Sequence, residues 1–233
     1  VEWSGLDNLQ PLRIDEETTV VYSIPPIAEQ FLHHLQPFLT CDCARLIYLS
    51  SASSYGDHHG ALVDEDSDRH PTSPAGVMRK LAEDAVLTSP GNRNVVRVVG
   101  IYGPNRTLDR YIASGRYKLV DGGQKLTNRI HVDDLAAMLL ALISRAPAGR
   151  RAYIAADGHP MPVSELVDWL VEHRGIDPPE QVSLEAYRAE RGDDAADRWR
   201  NSYRASNHRM AEELGVKPKY RTVLEGYRAI FAE

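Results

Sequence analysis

RLIYLSSASSYGDHHGALVDEDSDRHPTSPAGVMRKLAE, residues 45–83, is the stretch on which the fold turns. It opens with an apolar run, Leu46 to Leu49, that is continuous rather than alternating, as in a strand covered on both faces. A serine cluster follows, then an acidic, His-rich, Pro-bearing surface loop over 57–74. A helix over 76–87 closes the stretch, with Val77, Leu81 and Ala85 on one stripe. Strand, turn, loop and helix make one unit of a parallel sheet.

The same rhythm extends in both directions. Upstream, residues 18–23 (TTVVYS) are β-branched and apolar, Pro25 and Pro26 stop that strand, and Ile27, Phe31, Leu35 and Phe38 fall at helical spacing through residue 39. Downstream, 94–99 is a third buried strand and 107–114 a short helix. Asp121-Gly122-Gly123 is a turn, and Asp133 or Asp134 can cap a helix with Leu135, Met138, Leu139, Leu142 and Ile143 on its apolar face. A short strand over 152–156 precedes a helix that Ser164 can cap and Gly175 closes. Residues 181–204 are charged and irregular, and helices over 207–214 and 223–231 end the chain. Strands alternating with helices predict a doubly wound α/β fold around a parallel sheet. The expected division is a Rossmann-like part over 1–160 and a small C-terminal α/β lobe over 161–233, interwoven with it.

Composition excludes several classes. The 233 residues are 42% apolar, enough for a substantial core, and the net charge of −6 is mixed along the chain, unlike the basic face of a nucleic-acid binder. No run approaches the roughly 18 apolar residues of a membrane span. The polar, acidic N-terminus reads as no secretory leader, and the only two cysteines, Cys41 and Cys43, are one residue apart, so a disulfide between them would be strained. A cytoplasmic protein is expected. The CxC pair with His33–His34 lacks zinc spacing, so no metal is expected.

Five motifs then occur in order: SSASSYGD (50–57), DEDSDRHPTSPAG (64–76), RVVGIYGPNR (97–106), RIHVDDLA (129–136) and the tail SNHRMAEELGVKPKY…EGYRAIF. Together they resemble the extended short-chain dehydrogenase/reductase superfamily of the NAD-dependent epimerase/dehydratase type, and in detail its atypical, nucleoside-diphosphate-sugar-epimerase-like branch. The resemblance implies a Rossmann sheet with NAD or NADP at its switch point. It also matches 18–23 to the family's fourth strand. The Gly-rich phosphate turn and first three strands are then expected to lie outside this sequence, which holds no GxGxxG and begins with Val1. The edge of strand 18–23 is expected to be covered by a longer natural chain, by another chain, or by residues 1–17.

The resemblance also implies a site. Counting four back from the Tyr of the YG pair makes Ser51 the hydroxyl that binds substrate. Pro25, Ser50, Arg79, Val99 and Ile101 fall on the cofactor side, and Arg106, Arg129 and His131 on the substrate side, with Arg129 suited to a phosphate or diphosphate. The family's YxxxK pair, in which the Lys lowers the Tyr pKa, falls on Ala75 and Arg79. Ala75 cannot move a proton, and loss of a positioned acid/base typically costs ~10²–10⁴ in rate. Tyr55 and Tyr102 are the candidate replacements: Tyr55 reads better as a wedge under its turn, whereas Tyr102 is the candidate catalytic phenol. His131 with Asp133 is a possible dyad, with capping the plainer role for Asp133. The expected function is therefore an NAD(P)-linked epimerase/dehydratase- or reductase-like enzyme on a nucleotide-sugar or similar polar small molecule. The alternatives are a non-catalytic dinucleotide-binding or sensing module, and an inactive fragment. A homodimer through the helices over 27–39 and 76–87 is also expected by resemblance.

Overall fold

The structure, a computed structural model, describes residues 14–26 and 31–232. The start of the first predicted helix and most of the 1–17 segment lie outside the described residues. In chain order the elements are β1 (Thr19–Tyr22), α1 (Phe31–Leu39), β2 (Arg45–Ser51), β3 (Leu62–Val63), α2 (Pro74–Thr88), β4 (Arg93–Val98), β5 (Gly100–Tyr102) and α3 (Leu108–Ala113). Then come β6 (Lys118–Val120), β7 (Leu126–Thr127), β8 (Arg129–His131), α4 (Val132–Arg145), β9 (Arg150–Ala155), β10 (Met161–Pro162) and α5 (Val163–Arg174). The tail holds β11 (Glu180–Val182), α6 (Leu184–Arg191), α7 (Asp193–Arg200), β12 (Arg204–Ala205), α8 (His208–Leu214) and α9 (Val223–Ala232).

The core is a four-stranded sheet in the order β1-β2-β4-β9, parallel throughout. Side chains of a strand alternate between faces, and both faces here are covered. Leu46, Tyr48 and Val95 meet Leu35 and Leu39 of α1 and Ala82 and Val86 of α2. Ile47, Val96 and Val98 meet Leu135, Met138 and Leu142 of α4 and Met210 and Leu214 of α8. This is the doubly wound arrangement that the continuous apolar runs predicted. A third cluster joins Tyr102, Leu119, Leu166, Leu170 and Tyr227 beyond the strand ends. Among the described residues, β1 pairs only with β2, leaving its other edge unpaired. No helix among them is long and apolar enough to cross a membrane.

The tail is woven into the first part: β12 pairs with β3, and Asn128 binds it at both ends of its amide, donating to Tyr203 O (2.9 Å) and accepting from Ala205 N (2.8 Å). The 57–74 loop is therefore held from two sides.

Four expectations are corrected. On α2, Val77 and Leu81 point outward, 42% and 49% exposed, and the buried face is Gly76, Ala82, Glu83 and Val86. The apolar stripe misled because the inward position is a carboxylate. Likewise Ile143 of α4 is exposed. That helix is capped by the ring of His131, whose Nδ1 accepts from Asp133 N at 3.2 Å, and Asp134 instead holds Lys219 N (2.7 Å) and Tyr220 N (3.2 Å). The α5 helix starts after Pro162 rather than on Ser164, although Gly175 closes it in a left-handed conformation as expected.

Glu83 is fully buried. Ser50 Oγ donates to its Oε1 at 2.5 Å, and Arg69 Nη1 (2.9 Å) and Arg97 Nε (2.8 Å) donate to its Oε2. Arg97 also donates to the Tyr55 phenol (2.7 Å) and to Glu65 O (2.8 Å). Removing one partner of a buried ion pair leaves an uncompensated charge, at roughly 3–5 kcal/mol. Glu83→Gln is expected to lower the urea-unfolding free energy by about that amount. A loss under ~1 kcal/mol would show that the network is dispensable.

Candidate functional site

A cavity of about 290 Å³ opens at the carboxyl ends of β2 and β4, lined among others by Ser51, Val99, Lys125, Arg129, Arg198 and Tyr203. Each wall follows from local structure. Ser51 is the last residue of β2, and its Oγ accepts from Ser53 N (3.2 Å), starting a 3-10 turn over Ala52–Ser54. At Val99 the chain leaves β4, and β5 pairs with β8 so that Gly100 lies opposite Arg129. A Cβ at Gly100 would sit 3.0 Å from Arg129 Cδ and Nη1, so glycine lets that side chain lie across the strand. The C-terminal part closes the cavity: Tyr203 OH donates to Ala52 O at 3.1 Å, and Ser202 Oγ accepts from Leu126 N at 3.2 Å.

The cavity's charge is unbalanced. Among the described residues, neither Lys125, Arg129 nor Arg198 forms an ion pair with a carboxylate. Lys125 Nζ donates to the Arg198 carbonyl, and Arg129 Nε is buried with no hydrogen-bond partner among the described residues. Burial, then the charges of Arg129 and Arg198, push the Lys125 amine down to about 8, with Asp57 pulling weakly the other way. Like charges held together in a partly closed cavity favour an anionic ligand.

Of the residues expected at the site, Ser51, Val99 and Arg129 come together here. The others do not line the cavity. Tyr102 is buried beneath α9, stacked on Tyr227 with centroids 5.2 Å apart, and a Cβ on Gly226 would strike its hydroxyl. Burial, with the charges of Asp157 and Asp134, holds its proton far above neutral pH. His131 is buried between Tyr102 and Tyr220, and Asp133 beside it is solvent-facing. Ser50 is bound to Glu83, Arg79 lies against the buried Tyr48 phenol, and Ile101 packs on the core. Pro25 and Arg106 are exposed, Arg106 in a tight turn with Gly103, and so is Ala75. Tyr55 is a buried wedge, donating to Asp64 O at 2.6 Å. Lys125, Arg198 and Tyr203 were missed. Arg198 lies in the charged, irregular run over 181–204, and its sequence distance from Ser51 hides their meeting at the cavity.

The fold implies a dinucleotide, whose pyrophosphate needs a cradle of backbone N–H groups at a glycine-rich turn. The described residues do not fit that half of the cofactor. The turn leaving β1 runs into Pro25 and Pro26, which have no N–H, and the turn leaving β2 uses the Ser53 N–H internally. No catalytic step is therefore routed through a cofactor here.

The sequence profile of the NAD dependent epimerase/dehydratase family matches residues 29–155, more than half of the chain, and the chain belongs to that family. It is similar to Protein YeeZ of Escherichia coli K12, 30% identical over 138 residues that cover 58% of this chain and 48% of YeeZ. The chain thus spans about half the length of the curated relatives it matches. Among solved structures it is similar to a conserved Silicibacter pomeroyi protein of unknown function, at 29% identity and a TM-score of 0.79, covering 99% of this chain and 80% of that one. It shares its fold with MoeE5, solved with UDP-glucuronic acid and NAD, at 23% identity and a TM-score of 0.72, covering 91% and 77%.

Asp157, just past β9, is 4% exposed; its Oδ1 accepts from His159 N (2.9 Å) and its Oδ2 has no hydrogen-bond partner among the described residues. Burial pushes its carboxyl up to about 7, against smaller opposing effects of His159 and Arg129. Unfolded, it titrates near 3.8, so the folded chain carries the extra proton between those values. Stability contributed by this group is present below pH ~4 and lost as pH rises toward ~7, by at most about 4 kcal/mol. Asp157→Asn is expected to flatten that slope and raise the Tm near pH 7.5. Parallel melting profiles for the two proteins between pH 4.5 and 7.5 would sink this reading of Asp157.

Proposed function

We propose that the chain is the substrate-side portion of an NAD(P)-dependent epimerase/dehydratase- or reductase-like protein that takes a nucleotide-sugar or a similar phosphate-bearing polar molecule. The observation that carries this is the cavity itself: a Ser51 hydroxyl at a strand end beside Lys125, Arg129 and Arg198, none of which forms an ion pair with a carboxylate among the described residues. Arg129 supplies a planar fork for phosphate, with its Nε unsatisfied. The UDP-glucuronic acid and NAD held by MoeE5 support the same ligand class on the same fold. Val77 and Leu81, outward on α2, support a homodimer through that helix.

A non-catalytic binding or sensing module is the second reading, and one observation favours it. The position matching the family's Tyr is an exposed alanine, and the phenols of Tyr55 and Tyr102 keep their protons through burial. Tyr203, a phenol that lines the cavity, has its pKa raised in the same way.

Calorimetry of the full chain is expected to show binding of UDP-glucose and UDP-glucuronic acid but not of glucose. Arg129→Met is expected to weaken binding ~10-fold or more, as befits a charge-assisted hydrogen bond. Lys125 loses its charge through pH ~8, so affinity is expected to fall between pH 7 and 9, and Lys125→Met to remove that fall. Equal affinity for the neutral sugar, or an unaltered Arg129→Met, would overturn the ligand assignment. Turnover of the bound ligand with NAD or NADP supports the enzyme; binding without turnover supports the sensor.

A further inference from the structure

At the opposite end of the sheet, in the connection from α1 to β2, the structure brings Cys41 Sγ and Cys43 Sγ to 2.9 Å from each other. Cys41 is half-buried and its thiol also reaches Phe38 O (3.2 Å), whereas Cys43 is 8% exposed. Arg93, at the start of β4, is 2% exposed and places Nη1 3.5 Å from Cys43 Sγ. Its other contacts are Cys41 O (3.1 Å), Ser89 Oγ (3.2 Å) and Asn92 O (3.3 Å), and no carboxylate pairs with it among the described residues. A buried guanidinium without a counter-anion is costly, and here it lies against the sulfur that becomes negative during thiol exchange.

We propose that Cys41 and Cys43 form a reversible dithiol–disulfide site, separate from the cavity and oxidised by small disulfides of the glutathione type. Residues separated by one position are about 5–7 Å apart at Cα. That overlaps the roughly 4.4–6.8 Å range of disulfides. The small ring makes the bond strained, and strained disulfides are the labile, readily reduced ones, which fits a switch rather than a structural staple. The half-buried Cys41 exchanges first: its S–H is replaced by a bond to the glutathione sulfur, releasing one glutathione thiol. Cys43 then attacks Cys41 Sγ, closing the S–S bond and releasing the second glutathione. Two protein S–H bonds are oxidised and one glutathione disulfide is reduced to two thiols.

The test uses the full chain with oxidised glutathione, acid quenching, alkylation and trypsin. Peptide 14–45 holds both cysteines and no internal Lys or Arg, so closure is read as the loss of two hydrogens without adduct or alkylation, restored by dithiothreitol. Cys43→Ser is expected to accumulate the glutathione adduct on Cys41. Burial and the neighbouring thiol push Cys41 up to about 11, so the rate is expected to climb steadily from pH 7 to 10. Once the adduct on Cys41 has formed, its closure by Cys43 is expected to be faster in the folded chain than in urea, because the two sulfurs are held together only when folded. A wild-type chain that stops at the adduct, or whose adduct closes no faster folded than unfolded, overturns the proposal.

Discussion

The carboxylate of Glu83 is the constraint from which the rest of the site hangs. It is a full charge with no exposure to water, accepted into the core only because Ser50, Arg69 and Arg97 converge on it. Those partners come from β2, the loop and β4, so one side chain of α2 joins three parts of the chain. Arg97 passes the constraint on to Tyr55 and Glu65, and Glu65 Oε1 accepts from Ile154 N of β9 at 2.8 Å. A long polar loop thereby becomes a fixed wall. Because neighbours in a strand face opposite ways, holding Ser50 down toward Glu83 presents Ser51 to the other side, where the cavity lies.

The contrast between the two sets of cations defines the site. Arg69, Arg97 and Arg209 are consumed by carboxylates, and they hold the loop and the β9 edge. Lys125, Arg129 and Arg198 line the cavity without such partners among the described residues. The structure spends its acidic residues on architecture and leaves positive charge at the strand ends. Membership of the NAD dependent epimerase/dehydratase family agrees with a ligand site there.

Much of the architecture is legible in short windows. The run at Leu46–Leu49 is apolar at every position, and 94–99 at all but Asn94 and Arg97, because the sheet is covered on both faces, and αL closure at Gly175 and Gly215 follows from glycine's freedom there. Windows fail where a polar group is buried or an apolar one is not. Val77 and Leu81 form a clean helical stripe and face outward, since Glu83 occupies the inward position. His131 looks like a catalyst beside Asp133 and serves as a cap. Tyr102 stands at a strand end and is sealed beneath α9.

By itself, the sequence determined the order of the main strands and helices and the family. These are local matters, set by hydrophobic period, turn chemistry and motif spacing. Only the tertiary structure decided which charges are neutralised, which serine faces the cavity, and that Cys41 and Cys43 meet beside Arg93. The physical reason is that an ion pair or an unpaired charge is a property of neighbours in space. Ser51, Arg129 and Arg198 become neighbours only when the sheet, the β5–β8 pair and the returning tail are assembled.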